Sequence, residues 1–121
     1  MEALLDTNFI IACIKRNMDF LTLLEEKGFT PFLSHEVYQE LKDVRQTATM
    51  SDRVALDLAF TLFEKRKVKK MTLGHHTVDE GLIAKGKKGA YIATLDAGIR
   101  RLVPNSIGIS NAQNNLEISR Q

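Results

Sequence analysis

Short apolar strands that alternate with amphipathic helices predict an α/β protein, with the 121 residues forming one domain, 1–121. Three observations carry this reading. Apolar runs of strand length recur at residues 2–6, 30–33, 68–73, 91–95 and 106–109, the segments between them carry apolar residues at helical spacing, and acidic residues fall where strands hand over to helices. Strands joined through helices pair in parallel by right-handed crossovers, which gives a three-layer α/β/α sandwich.

The elements follow in order. Residues 2–6 read as a short buried strand, and Phe9-Ile10-Ile11 opens a helix that Lys15-Arg16-Asn17 interrupts. A second helix runs from about Asp19 to Lys27, with Gly28 as its stop. Thr30-Pro31-Phe32-Leu33 is a strand, after which Ser34 caps a helix with Val37, Leu41 and Val44 on one face and Glu40 beside them. Loop signals at Gln46 to Met50 precede a helix from Ser51, whose Val54, Ala55, Leu58, Ala59 and Leu62 form the expected buried side. A strand with a basic beginning spans Val68 to Leu73. The loop Gly74-His75-His76 leads to Thr77-Val78-Asp79-Glu80, which has capping-box spacing, and Leu82 and Ile83 mark the buried side of the next helix. Gly86 and Gly89 are expected to end that helix and turn into strand 91–95. A short helix follows Asp96 to Leu102, and a last strand lies near Ser106 to Ile109.

Composition narrows the class. With 44% apolar and 26% charged residues the chain suits one complete compact domain. It has no apolar run of about 20 residues and no signal-peptide pattern, so a cytoplasmic protein without membrane association is expected. The lone Cys13 excludes an intramolecular disulfide and a Cys-rich zinc site, and reads as small buried packing. Net charge is only +2, but basic residues cluster at Lys65–Lys70, at Lys85 with Lys87 and Lys88, and at Arg100 and Arg101. Each cluster reads either as a solvated helix end or as a patch for a nucleic-acid backbone.

Asp6, Glu40, Asp79 and Asp96 carry the chemistry. Asp6 ends the first strand and Asp96 follows 91–95, so both belong at strand carboxyl ends, where open α/β sheets hold ligands. Asp79 lies two residues past its cap, and Glu40, six past Ser34, only about 9 Å along its helix axis. All four acids are therefore expected to converge. Oxygen ligands of this kind suit Mg2+ or Mn2+, which turns bound water into hydroxide and stabilises charge on a phosphodiester in flight. The competing reading makes Asp79 and Asp96 helix caps or dipole partners. Asp6 escapes that explanation if Thr7 and Asn8 serve as the cap.

Taken in order, Leu4-Leu5-Asp6-Thr7-Asn8, Ser34 with Glu40-Leu41, Val78-Asp79 with Ile83, and Ile92-Ala93-Thr94-Leu95-Asp96 resemble the motifs of PIN-domain ribonucleases over residues 2–110. The resemblance implies a five-stranded parallel sheet of order 3-2-1-4-5. It further implies Asp6, Glu40, Asp79 and Asp96 as metal-binding catalytic residues, Thr7, Asn8 and Thr94 as orienting neighbours, and cleavage of single-stranded RNA, with single-stranded or structured RNA as the partner. Lys85, Lys87, Lys88, Arg100 and Arg101 would then guide the RNA backbone. Many such domains carry a further acid just after the fourth, whereas here Ala97-Gly98 follows Asp96; Glu80 reads chiefly as a cap. The same resemblance is compatible with a toxin that has an antitoxin partner, with an RNA-processing enzyme, and with a homodimer built on Leu21, Leu24, Phe60 and Phe63.

Other readings are weaker. A silent PIN-like module that binds RNA or a ribosome-assembly partner is opposed by the complete acidic quartet. A phosphoaspartate signalling domain lacks the lysine expected after its last strands, since Pro104-Asn105-Ser106 stands there. His75-His76 has no third ligand nearby in sequence and reads as surface loop. No serine lies on a strained elbow, and the glycines form neither a Walker loop nor a dinucleotide fingerprint. Aromatic residues fall at core-like positions, with Tyr38 on the Glu40 helix as the one placed to meet a base.

Overall fold

The computed structural model describes all 121 residues, Met1–Gln121. The chain runs β1 (Glu2–Leu5), α1 (Thr7–Lys15), α2 (Phe20–Glu26), β2 (Thr30–Ser34), α3 (His35–Thr47), α4 (Met50–Lys65), β3 (Lys69–Met71), α5 (Val78–Lys87), β4 (Tyr91–Ala93), α6 (Ala97–Leu102), β5 (Asn105–Ser110) and β6 (Asn115–Arg120). These strands form one sheet of order β3-β2-β1-β4-β5-β6. The five expected strands are parallel in the expected order. A sixth, β6, adds antiparallel to β5 through the turn 111–114, where Asn114 takes φ 47°. The sequence carried its signal in Leu116 and Ile118 alternating with Glu117 and Ser119.

Period-two alternation splits the core between the two faces of the sheet. Ala3 and Leu5, Leu33, Tyr91 and Ala93, and Ile107 face one side and pack with α1 to α4, in a cluster that includes Phe9, Ile10, Phe20, Leu41 and Phe63. Leu4 and Ile92 face the other and meet Leu82 of α5 with Ile99 of α6 and Val103. Phe20 sits at the centre of the larger core, edge-on to Phe9 and Phe63 at centroid distances of 6.1 and 6.2 Å.

Several local expectations change. Thr49, not Ser51, caps α4, accepting from the Asp52 amide at 3.3 Å. Val54 and Leu58, expected inside, are 62% and 51% exposed, and with Met50 they form an outward stripe; α4 buries Leu56, Ala59 and Phe63 instead. The heptad-like spacing admitted two apolar sides, and only contacts with α1 and α3 decide between them. Leu21, Leu24 and Phe63 are buried in the core, and Phe60 is half-buried against it. Gly86 lies inside α5, where a Cβ would overlap Val103, while Gly89 at φ +109° makes the turn into β4. Arg66, from the first basic run, binds Asp19 at 3.4 Å and Glu25 at 2.5 Å and so ties the end of α4 to α2. No helix is long and apolar enough to cross a membrane.

Chemical denaturation should separate these two kinds of apolar residue. Phe20→Ala, which empties the centre of the larger core, is expected to cost about 3 to 5 kcal/mol, whereas Val54→Ser or Leu58→Ser should shift stability by no more than about 0.5 kcal/mol. Equal losses at both kinds of site would contradict the burial described.

Candidate active site

The register of β1 against β4 pairs Leu5 with Ala93, which sets the next residues, Asp6 and Thr94, side by side at the carboxyl edge. The ladder closes through the Asp6 amide to the Ala93 carbonyl at 2.9 Å. Asp6 is 5% exposed and Thr94 fully buried. The Thr94 hydroxyl donates to Asp6 Oδ2 at 2.7 Å and accepts from the Asp96 amide at 3.1 Å. Asp6 Oδ1 accepts from the Thr7 amide at 2.9 Å, so Asp6 is itself the N-cap of α1, a role the sequence left to Thr7 or Asn8.

Thr7 and Asn8 extend the network instead. The Thr7 hydroxyl donates to Glu40 Oε1 at 2.6 Å, bridging β1 to α3. Asn8 Oδ1 accepts from the Leu95 amide at 3.1 Å and lies 3.4 Å from the Thr94 hydroxyl. Thr7 thus links Glu40 to Asp6 through its hydroxyl and its amide, and the Thr94 hydroxyl links Asp6 to the Asp96 amide.

Burial is the largest influence on the Asp6 carboxyl and raises its pKa above the ordinary value. The Thr94 hydroxyl and Thr7 amide work to lower it, while the charges of Asp79 and Glu40 raise it further. Asp79 therefore shares the electrostatic neighbourhood of Asp6 from the exposed first turn of α5. Asp96 is also the cap of α6, its Oδ1 accepting from the Ile99 amide at 3.1 Å. The four acids share one edge but do not meet in one ligand sphere, since no three His, Cys, Asp or Glu side chains stand together as a ready metal set.

The rest of the predicted site separates. Thr77 caps α5 by accepting from the Glu80 amide at 3.1 Å, half of the capping box read from the sequence. Lys85, Lys87 and Lys88 lie at the far end of α5, roughly 9 to 14 Å along the axis from Asp79. Arg100 and Arg101 lie in the last turn of α6, close behind Asp96. Tyr38 packs edge-on to Phe60 at 5.3 Å, with Lys42 Nζ and Lys70 Nζ 4.7 and 5.3 Å from its ring centre. Its ring is largely engaged by its own neighbours. His75 turns Nδ1 to the Leu73 carbonyl at 2.9 Å.

One residue escaped the sequence reading. Glu36, in the first turn of α3, receives the amides of Leu73 and Gly74 at 2.9 to 3.1 Å and so clamps the loop that leads to Asp79. Burial works to raise the Glu36 carboxyl, but the Gly74 and Leu73 amides, with smaller help from its own amide and His35, outweigh it and hold the pKa low. Its partners are 37 and 38 residues away, so nothing in its own segment announced the contact.

No protein-family model matches the chain. No curated protein matches it either. Among solved structures, the PIN domain endonuclease Utp24 superposes with a TM-score of 0.77 at 17% identity, over 99% of this chain and 92% of that one. A chain of VapBC2 from Rickettsia felis, bound to a DNA fragment from their promoter, superposes with a TM-score of 0.55 at 15% identity, over 84% of this chain and 93% of that one.

Asp6 and Glu36 should affect stability with opposite signs. The native pKa of Asp6 is raised, so its ionisation costs the folded state nothing below the unfolded pKa and the full amount above the native one; Asp6→Asn should gain on wild type as pH rises through that window. The native pKa of Glu36 is lowered, so its contribution is present above the unfolded pKa and lost as pH falls through the native one; Glu36→Gln should trail wild type at neutral pH and converge with it in acid. Urea unfolding from about pH 3 to about pH 8 reads both differences, and a pH-independent difference for either variant would count against its assigned environment. The sheet order, the acidic carboxyl edge and the superposition on Utp24 together give this chain the PIN-domain fold.

Proposed function

We propose that this chain is a metal-dependent endoribonuclease that hydrolyses phosphodiester bonds of single-stranded RNA, with Asp6, Glu40, Asp79 and Asp96 holding Mg2+ or Mn2+. The observation that carries the reading is Asp6, a buried carboxylate kept at the sheet edge under the charges of Asp79 and Glu40. Acids crowded in this way repel one another and favour a hard divalent cation. The donor set therefore fits such an ion in kind, with Asp79 exposed and Glu40 half-buried at the same edge. When bound, the metal would supply an activated water and stabilise charge on the phosphoryl oxygens.

The chain's own residues perform the positioning. Thr94 fixes Asp6 and the Asp96 backbone at once, Thr7 orients Glu40, and Asn8 holds the Leu95 amide. Lys85, Lys87, Lys88, Arg100 and Arg101 are the proposed contacts to the RNA backbone. RNA processing and a toxin role with an antitoxin partner both accord with this chemistry, and a small DNA-binding antitoxin gene beside this one decides for the second. A silent RNA-binding or ribosome-assembly module is the second reading, favoured by Ala97-Gly98 standing after Asp96 where many PIN domains carry a further acid.

Incubation of structured and unstructured RNAs with Mg2+, Mn2+ or chelator separates these readings. Wild type should cleave only with metal, and Asp6→Asn and Asp96→Asn should lose that cleavage while keeping wild-type circular dichroism, since asparagine caps a helix as well as aspartate. Undiminished cleavage by either variant, or none by wild type, defeats the nuclease assignment. In thermal melts Mn2+ should raise the Tm of wild type by the linkage term RT ln(1 + [L]/Kd) and raise that of Asp6→Asn far less. A wild-type Tm indifferent to metal points to caps.

A further inference from the structure

The face of the sheet covered by α5 and α6 changes character at β5. Ser106, Gly108 and Ser110 alternate on that side, and the antiparallel register sets Ser119 opposite Ser106 and Glu117 opposite Gly108. No apolar side chain of this stretch points that way, while Ile107, Leu116 and Ile118 join the core on the other face. Between α6 and the β5–β6 hairpin lies an open groove of about 350 Å³ lined by Ala97, Arg100, Arg101, Ser106, Ser119 and Gln121.

Three features make this groove a receptor for an oxyanion. First, neither arginine is neutralised: the ion pairs of the molecule engage Lys15, Arg45 and Arg66, and Arg100 makes only a long contact of 3.5 Å to the Ser119 hydroxyl. Second, the Arg100 guanidinium packs against Gly108, where an added Cβ would stand 3.0 Å from its Nη1 and 3.3 Å from its Cζ. Third, the remaining lining is Ala97, Ser106, Ser119 and Gln121, with Glu117 the single acidic side chain of the hairpin and paired with neither arginine. A planar guanidinium fork with hydroxyl groups beside it matches the geometry of a phosphate.

Position supplies the ligand's identity. The groove opens at Ala97, the residue after Asp96, and Arg100 is one helical turn, about 6 Å along the axis, from that acid. We propose that this groove is a phosphate subsite that holds the RNA strand at a nucleotide neighbouring the bond presented to Asp6 and Asp96. The proposal rests on the reading of the chain as a ribonuclease and assigns the strand's path over the β5–β6 face. Glu117, opposite Gly108 on the same face, weakens it by repulsion.

Fluorescence anisotropy with labelled single-stranded RNA, in chelator so that nothing is cut, tests the subsite without relying on cleavage. Arg100→Ala should weaken binding about tenfold and lower the slope of log affinity on log salt by about 0.7. Glu117→Gln should tighten binding, and Lys27→Ala, an exposed charge at the end of α2, should leave both affinity and slope unchanged. Inorganic phosphate should compete for wild type at lower concentration than for Arg100→Ala. The subsite is overturned if wild type does not bind RNA, if Arg100→Ala behaves like Lys27→Ala, or if Glu117→Gln fails to gain. Arg100-dependent binding without metal-dependent cleavage would sink the nuclease reading and leave the subsite standing; cleavage with Arg100-independent binding would do the reverse.

Discussion

A carboxylate confined at the end of the central strand is the constraint on which the functional edge depends, because burial makes its charge costly and every neighbour is arranged around that cost. Thr94 approaches it from β4, the Thr7 amide from the start of α1, and Asp79 and Glu40 face it as charges from two further helices. A buried polar group left without partners is penalised by about 1 to 3 kcal/mol, so the two hydrogen bonds to Asp6 hold it in place without removing the repulsion. The fold tolerates a residue whose ionised form works against it, which is the pattern expected where function rather than stability selects the side chain.

The legible part of this chain was whatever rested on local pattern. Asp6 and Asp96 at strand ends, the Ser34 and Thr77 caps, the Gly28 stop and the alternation of strands with helices all follow from residues within a few positions of one another. The order of the five parallel strands came through the resemblance of the acidic motifs to a known family. Pattern failed where two local solutions were equally good. On α4 both the stripe through Met50, Val54 and Leu58 and the stripe through Leu56, Ala59 and Phe63 satisfy helical spacing, and the choice is made by α1 and α3, distant in sequence.

Other features were invisible for the same reason. Glu36 meets the Leu73 and Gly74 amides only after β2 and β3 have paired, and the basic run at 65–70 turned out to contain Arg66, an anchor to α2. The groove beside Arg100 is built against Gly108 of β5 and Ser119 of β6, the second strand of a hairpin that lies outside the five-strand expectation. Adjacent residues of one basic cluster thus differ in kind, some neutralised and some free, and charge patterning along the chain does not distinguish them.

The sheet ends in two strands of very different build, and the difference bears on how the protein avoids joining its own copies edge to edge. On one side β3 is three residues long and begins with Lys69 and Lys70, so a second copy pairing there would gain few ladder bonds and would bring four lysines together. On the other side β6 is twice as long and runs antiparallel, ending at Arg120, whose Nε donates to the Tyr91 hydroxyl at 2.6 Å. That anchor pins the open end of the hairpin, opposite its turn, to β4. Loss of the Arg120 contact would free the end of β6 to fray, so one margin of the sheet is marked by charge and the other is held by a tether.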